Sequence, residues 1–214
     1  MYTNVNLEAP VGALALLGAG FLIFIAIVVL IQSMIVRKSR RAQIILIIMS
    51  GIIASYLAAV LVFSFASHHR LLARGEEKHF CELDCHLAYS IVNVGQSVPS
   101  FSESNQSGRT VITIKTRFDE TTIAPWRGNG LLYPNSRVLT LIDDRGIRYP
   151  PAADTGTPLT TALRPGESYT TDVIFNLPDQ VKPARLLINE GEWITHFVIG
   201  HENSPLHKKA EFQL

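Results

Sequence analysis

Cys81 and Cys85 are the only cysteines of the 214-residue chain, and they frame the run Cys-Glu-Leu-Asp-Cys-His, residues 81–86. Two thiols beside the imidazole of His86 support three chemistries. The first is a disulfide, the default outcome for a lone pair in an oxidising compartment. In an extended strand the two Cα atoms would lie about 13 Å apart at roughly 3.3 Å per residue, so the pair closes only if a turn bends the segment. The second is a soft metal such as Cu(I) or Zn(II), for which thiolate and imidazole are matched ligands. His79 lies just before the motif, and His201 and His207 are further candidate ligands. The third is covalent haem, whose attachment motif C-x-x-C-H is here lengthened by one residue while Cys85 and His86 stay adjacent. No Met or His is marked out as a sixth ligand. The expected order of cofactors is none, copper, then covalent haem.

These residues must be positioned by what surrounds them. Residues 11–36 are apolar apart from Gln32 and Ser33 and would reach roughly 39 Å as a helix. Residues 42–66 carry no charge and are too long and aliphatic for a buried soluble helix. Between them, in residues 37–41, stand Arg37, Lys38, Arg40 and Arg41. By the positive-inside rule that loop is expected on the cytoplasmic side, with both termini outside. The tail of residues 1–10 has one acid, Glu8, and no basic residue, so it lacks the positive start of a cleaved signal peptide, and the first span is expected to stay as an anchor. Gly51, Ser55 and Ala59 recur at i, i+4 and i+8 and form a smooth face expected to pack on the first span, with Gly12, Ala15 and Ala19 as its counterpart. Neither span holds Asp, Glu, Lys, Arg or His, so a proton relay through this hairpin lacks the groups it would need.

Composition changes at Ser67, after which all seven histidines occur. Residues 67–88 read as a juxtamembrane linker carrying the Cys-His motif, and residues 89–214 as a β domain. Strands are expected at 89–98, 109–118, 168–177, 184–189, 193–199 and 210–214. A hairpin joins 137–142 to 146–149 around Asp143-Asp144-Arg145-Gly146. In residues 109–118, Val111, Thr113 and Lys115 alternate with Ile112, Ile114 and Thr116, the period of a half-buried strand. Short strands with regular turns and no helical period predict an antiparallel sandwich.

The run T-x-L-R-P-G-E-S-Y-T-T-D-V-I-F-N-L-P, after a D-D-R-G-x-R-Y-P hairpin, resembles the telokin-like, immunoglobulin-like domain of uncharacterised bacterial surface proteins. That resemblance covers roughly residues 89–199 and implies an immunoglobulin-like sandwich that binds or holds a partner, with no catalytic residues to carry over. The spacing C-x-x-x-C also resembles copper-delivery proteins that assemble respiratory oxidases, whose thioredoxin-like α/β fold has no counterpart pattern here. Oxidase subunit II resembles the layout of two helices and an outer β domain, but Tyr89 and Val92 stand where its copper motif has His and Met.

Near the end of the chain, His196, His201 and His207 fall within twelve residues, and His207-Lys208-Lys209 suits a solvated basic face or anionic lipid as well as a metal. Trp126 and Trp193 read as core or rim aromatics. No catalytic triad or carboxylate pair is legible by spacing. A net charge of +1, with the densest basic run in the loop 37–41, argues against nucleic acid. The expectation is a two-helix transmembrane hairpin followed by an all-β immunoglobulin-like sandwich, in a bacterial inner membrane with both termini periplasmic. It would serve as a non-enzymatic accessory subunit of a membrane complex, such as a respiratory one. The alternative is a periplasmic copper- or haem-binding protein built on Cys81, Cys85 and His86.

Overall fold

Residues 8–80, 86–97, 107–119, 128–178 and 181–214 are those described by the computed structural model of the chain. They form two units. One comprises Leu7–His68 with Trp193–Lys208, the other His69–Glu192 with Lys209–Leu214.

In the first unit α1 (Glu8–Ile35) and α2 (Ser39–Ala66) are each 28 residues, about 42 Å at 1.5 Å per residue, and both are long and apolar enough to cross a membrane. Their turn is tight for a defined reason. Arg37 takes a left-handed backbone with φ 55°, its N–H donates to the carbonyl of Met34, and the N–H of Lys38 donates to that of Ser33. This is a Schellman stop, which satisfies two orphan carbonyls at the end of α1. The helices meet along alternating three- and four-residue steps. Leu16, Ala19, Ile23, Ala26 and Leu30 of α1, and Ile45, Met49, Ile52 and Tyr56 of α2, are the less exposed positions, the spacing of a coiled-coil seam.

The expected small-residue seam is corrected here. Gly51 and Ser55 are exposed, a Cβ built on Gly51 meets nothing within 4 Å, and only Ala59 is half-buried. An i, i+4 row slants across a helix, so only its last member reaches the seam. On α1, Ala15 is exposed and Ala19 half-buried, while Gly12 is buried for another reason: a Cβ there would run into the carbonyl oxygen of Ile199.

The second unit is a β-sandwich. Its strands are β1 (Arg70–Leu72), β2 (Lys78–Phe80), β3 (Leu87–Ser97), β4 (Ser107–Phe118), β5 (Arg137–Asp143), β6 (Arg148–Tyr149), β7 (Ala153–Gly156), β8 (Ser168–Pro178), β9 (Pro183–Glu190) and β10 (Ala210–Gln213). One sheet runs β1-β10-β9-β5-β6, the other β2-β3-β4-β8-β7. Every pairing is antiparallel except β1 with β10. Ile112, Ile114 and Phe118 of β4 and Val173, Phe175 and Leu177 of β8 bury their alternate faces, as the period-two pattern predicts. They join Leu139 and Leu141 of β5, Leu186 and Ile188 of β9 and Phe212 of β10 in one core between the sheets. The hairpin at Asp143 also forms. Gly146 supplies its positive φ of 84°, and the buried Asp143 carboxylate accepts the N–H groups of Arg145 at 2.9 Å and Ile147 at 2.7 Å.

Three expectations change. Residues 67–88, read as a linker, contribute β1 and β2, each only three residues and too short to show a period. Residues 193–199 are not a strand, and Trp193–Phe197 is a 3-10 turn. Both neighbours of β9 are taken, by β5 and β10, so the following segment has no edge to join there. Strand β7, fully exposed along its length, has no apolar alternation to reveal it.

Candidate functional site at the β2–β3 hairpin

Cys81 and Cys85, with the three residues between them, lie outside the described residues. Their flanks are well defined. Strand β2 pairs antiparallel with β3 through Lys78 and Tyr89, His79 and Ala88, and Phe80 and Leu87, so residues 81–86 connect the two members of a ladder pair. The N–H of Asp119 donates to the carbonyl of His86 at 3.0 Å, tying the start of β3 to the end of β4.

Period two gives β2 two distinct faces. Lys78 and Phe80 turn into the sandwich. The Lys78 ammonium donates to the carbonyls of Ile188 at 2.6 Å and Ala210 at 3.2 Å, on β9 and β10 of the opposite sheet. It also lies 5.0 Å from the Phe80 ring centroid, while the Arg137 guanidinium lies 4.3 Å from the same ring and 5.3 Å from that of Tyr89. Phe80 and Tyr89 meet edge to face at 5.3 Å, leaving their negative faces to the two cations.

On the other face, register puts His79, Ala88 and Arg117 in one row across β2, β3 and β4. The small Ala88 lets the longer side chains converge over it. Arg117 grips Glu77 with a two-pronged fork, Nε to Oε1 and Nη2 to Oε2, both at 2.7 Å. Its other nitrogen lies 3.7 Å from Asp119, and His79 Nε2 lies 3.8 Å from Glu77. The hydrogen bonds from Arg117 hold the Glu77 carboxyl below the usual carboxylate range, against the opposing effect of burial. Burial pushes the His79 imidazole down, and the neighbouring Glu77 and Asp119 charges oppose this without overcoming it, while Arg117 and His86 add to it.

These shifts give a pH dependence of one sign. A histidine with a lowered pKa stabilises the fold fully above its ordinary value of 6.5, and that stability falls as pH drops toward the folded value. Glu77, lowered from 4.5, adds a second loss further into acid. Thermal unfolding of the full chain in detergent is expected to show Tm falling in two stages on acidification, with His79→Gln removing the first. A Tm that is flat from pH 7 to the ordinary value of Glu77, 4.5, would contradict this.

The other candidate ligands have different settings. His201 and His207 belong to the unit containing the helices. His201 is buried and its Nδ1 accepts the N–H of Asn203 at 3.0 Å, which puts the ring proton on Nε2. His207 Nδ1 lies 2.8 Å from the carbonyl of Lys208, and His196 Nδ1 lies 3.1 Å from that of Trp193. Among the described residues, no three His, Cys, Asp or Glu side chains converge as a metal centre would need. Arg37, Lys38, Arg40 and Arg41 are exposed at the α1–α2 turn. Trp193 is exposed, and Trp126 lies outside the described residues.

Glu77, Arg117 and Asp119 are absent from the sequence reading. Their one signal was charge beside a Cys-His motif, and Arg117 is 40 residues from Glu77, so only sheet register joins them.

The molecule is thus a β-sandwich domain preceded by two membrane-length apolar helices. No family model matches the chain, and no curated protein matches it. Among solved structures it is similar to MPT63, a secreted protein from Mycobacterium tuberculosis, at 12% identity and a TM-score of 0.44, covering 69% of this chain and 98% of that one. It is also similar to an uncharacterized β-sandwich protein from Clostridium difficile at 13% identity and a TM-score of 0.41, covering 69% and 95%.

Proposed function

We propose that this chain is a non-enzymatic accessory subunit of a bacterial inner-membrane complex, presenting an immunoglobulin-like, telokin-like sandwich on the periplasmic side. The observation that carries the reading is the outward face of α2. Ile45, Met49, Ile52 and Tyr56 fill much of its seam with α1, whereas Gly51 and Ser55 are exposed and leave a smooth surface. In a bilayer such a surface favours close approach of another helix, because small residues let backbones come near enough for dispersion contacts. The four cations of the turn support a cytoplasmic hairpin tip and outside termini. The titratable groups of the β2–β3 site support a structural role, since Arg117 occupies the Glu77 carboxylate and brings a fixed positive charge beside His79.

Affinity capture in mild detergent tests this directly. Wild type is expected to retain a membrane-protein partner that Gly51→Leu loses, while the isolated variant keeps its thermal stability because the added side chain meets nothing within the chain. Equal recovery of partner by both would overturn helix docking.

A second reading, metal or redox chemistry at Cys81, Cys85 and His86, is favoured by the closed base of their hairpin. Directly paired antiparallel residues stand about 4.5–5.5 Å apart, and Phe80 and Leu87, which flank the motif, are such a pair. That closeness of the flanks supports a thiol pair, as a disulfide first and as copper ligands second. A disulfide across so short a loop would add about 2 kcal/mol by chain entropy. Denaturing intact mass with and without thiol alkylation separates the outcomes. An oxidised pair without adduct is the expected result, whereas free thiols or a haem-sized adduct would favour the redox reading. Copper binding that survives Cys81→Ser with Cys85→Ser would remove these thiols from any metal site.

A further inference from the structure

We infer that Trp193–Lys208, the excursion between β9 and β10, is a re-entrant segment embedded in the outer leaflet, gripping the acyl chains with Trp193, Ile194, Phe197 and Leu206. This rests on reading α1 and α2 as membrane spans. Three independent features of the segment point the same way.

The first is its inverted polarity. Thr195, His201, Asn203 and Ser204 are buried, while Trp193 is 71% exposed, Phe197 48% and Leu206 65%. The buried groups bond one another: Asn203 Nδ2 donates to Thr195 Oγ1 at 2.9 Å, and the Ser204 hydroxyl donates to the carbonyl of Val198. Backbone turns do the same, from Val198 to Thr195, His201 to Val198, Ser204 to His201 and His207 to Ser204. His196 and Lys208 are exposed and Val198 is buried, but a loop in water ordinarily shows more of its polar atoms and hides its aromatics. Non-helical backbone at membrane depth has to satisfy its own polar groups in this way.

The second is depth. Tyr56 of α2 donates its hydroxyl to the carbonyl of Phe197 at 2.7 Å, and Gly12 of α1 lies against the backbone of Ile199. Tyr56 is about 21 Å along the helix from Ala42, the first residue past the basic turn, against a hydrocarbon thickness of roughly 30 Å. Tyr56 itself therefore sits about 9 Å inside the outer boundary, and its hydroxyl reaches the Phe197 carbonyl from there. Gly12 matters because any side chain there would collide with Ile199, so this start of α1 is shaped to receive the segment.

The third is strain. Leu206 holds a left-handed backbone with φ 65°, rare for a bulky residue, and its side chain is exposed. Trp193 and Phe197 stack edge to face at 5.9 Å and form one exposed aromatic platform. Tryptophan concentrates at the membrane interface because its ring is apolar and its N–H seeks the headgroups. The Tyr56 and Gly12 contacts seat the segment against both apolar helices, so the lipid around those spans is the occupant nearest to its exposed side chains.

The test uses the full chain in nanodiscs of phosphatidylethanolamine and phosphatidylglycerol, with and without phosphatidylcholine brominated along its acyl chains. Trp126→Phe leaves Trp193 as the sole tryptophan, and the difference between wild type and Trp193→Phe gives the same signal should that variant misfold. The expected result is blue-shifted emission that loses most of its intensity to brominated lipid and little to aqueous iodide. Quenching by iodide alone would overturn the inference, as would protection from both quenchers, which would mark a protein-covered face. A parallel sample separates failure of the spans from failure of the loop. In a Cys81→Ser, Cys85→Ser background, Ile27→Cys at the middle of α1 is expected to resist maleimide until detergent is added. Protection there with a water-exposed Trp193 would sink the loop proposal and leave the anchor standing. Labelling there without detergent would overturn the spans and the proposal together.

Discussion

Lys78→Met is expected to lower the unfolding free energy of the sandwich by about 3 kcal/mol, although it preserves most of the side-chain volume and removes a buried charge. Methionine often substitutes well for a buried ion, because desolvation of the charge is no longer required. The geometry here argues otherwise. Strands β9 and β10 pair through Leu186 with Phe212 and Arg185 with Gln213, and the same register extended would set Ile188 opposite Ala210. Their ladder stops short of that pair, and the Lys78 ammonium, reaching across from the other sheet, bonds both carbonyls. Methionine fills the space and leaves two buried acceptors facing each other, at about 1–3 kcal/mol for each one left unsatisfied. Denaturant unfolding of the full chain in detergent measures the difference. A variant as stable as wild type would mean that stem packing, not the donor, is what the position requires. Lys78→Arg, which keeps the charge but not the compact head, is expected to fall between the two.

Phe212→Ala is expected to cost still more, about 4 kcal/mol, the usual loss for a fully buried aromatic. Phe212 is 0% exposed and sits at the centre of a three-strand edge, partnering Leu186 of β9 on one side and Leu72 of β1 on the other. Because β1 pairs only with β10, loosening Phe212 should also free β1. Amide exchange at Arg70–Leu72 is therefore expected to accelerate well beyond that of β4, which keeps both its partners. Uniform acceleration across the sandwich would show that the edge does not open separately.

Most elements legible in the sequence were those with a long period, and the shorter β5, β6 and β10 were placed as well, the first two from the turn chemistry of Asp143–Gly146. Both apolar helices and strands β3, β4, β8 and β9 were placed to within a few residues, since 8 to 12 residues of alternation or 28 of apolar helix outweigh local noise. Strands β1, β2 and β7, of three or four residues, have no such period and exist because a neighbour offers an edge. Residues 193–199 illustrate the converse. Trp-Ile-Thr-His-Phe-Val-Ile alternates acceptably and is rich in strand formers, but β9 has no vacant side for it. At the candidate site, His79 and His86 were visible as residue types beside the cysteines. The ion pair of Glu77 with Arg117 was not, because it depends on β2, β3 and β4 lying side by side. The small-residue row on α2 was visible too, and its direction was misjudged for want of the partner helix that defines the seam.

The parallel pairing of β1 with β10 has a consequence for biosynthesis. Strand β1 leaves the ribosome directly behind the second apolar helix, yet its contacts lie far downstream: His69 and Glu211, which meet at 3.2 Å, are 142 residues apart. At ordinary elongation rates of about 5–20 residues per second, β1 waits on the order of ten seconds for β10, its strand partner among the described residues. During that interval a nascent chain already committed to the bilayer carries an open β-edge. A chaperone that shields this edge would have its window there, before β10 arrives and pairs with it.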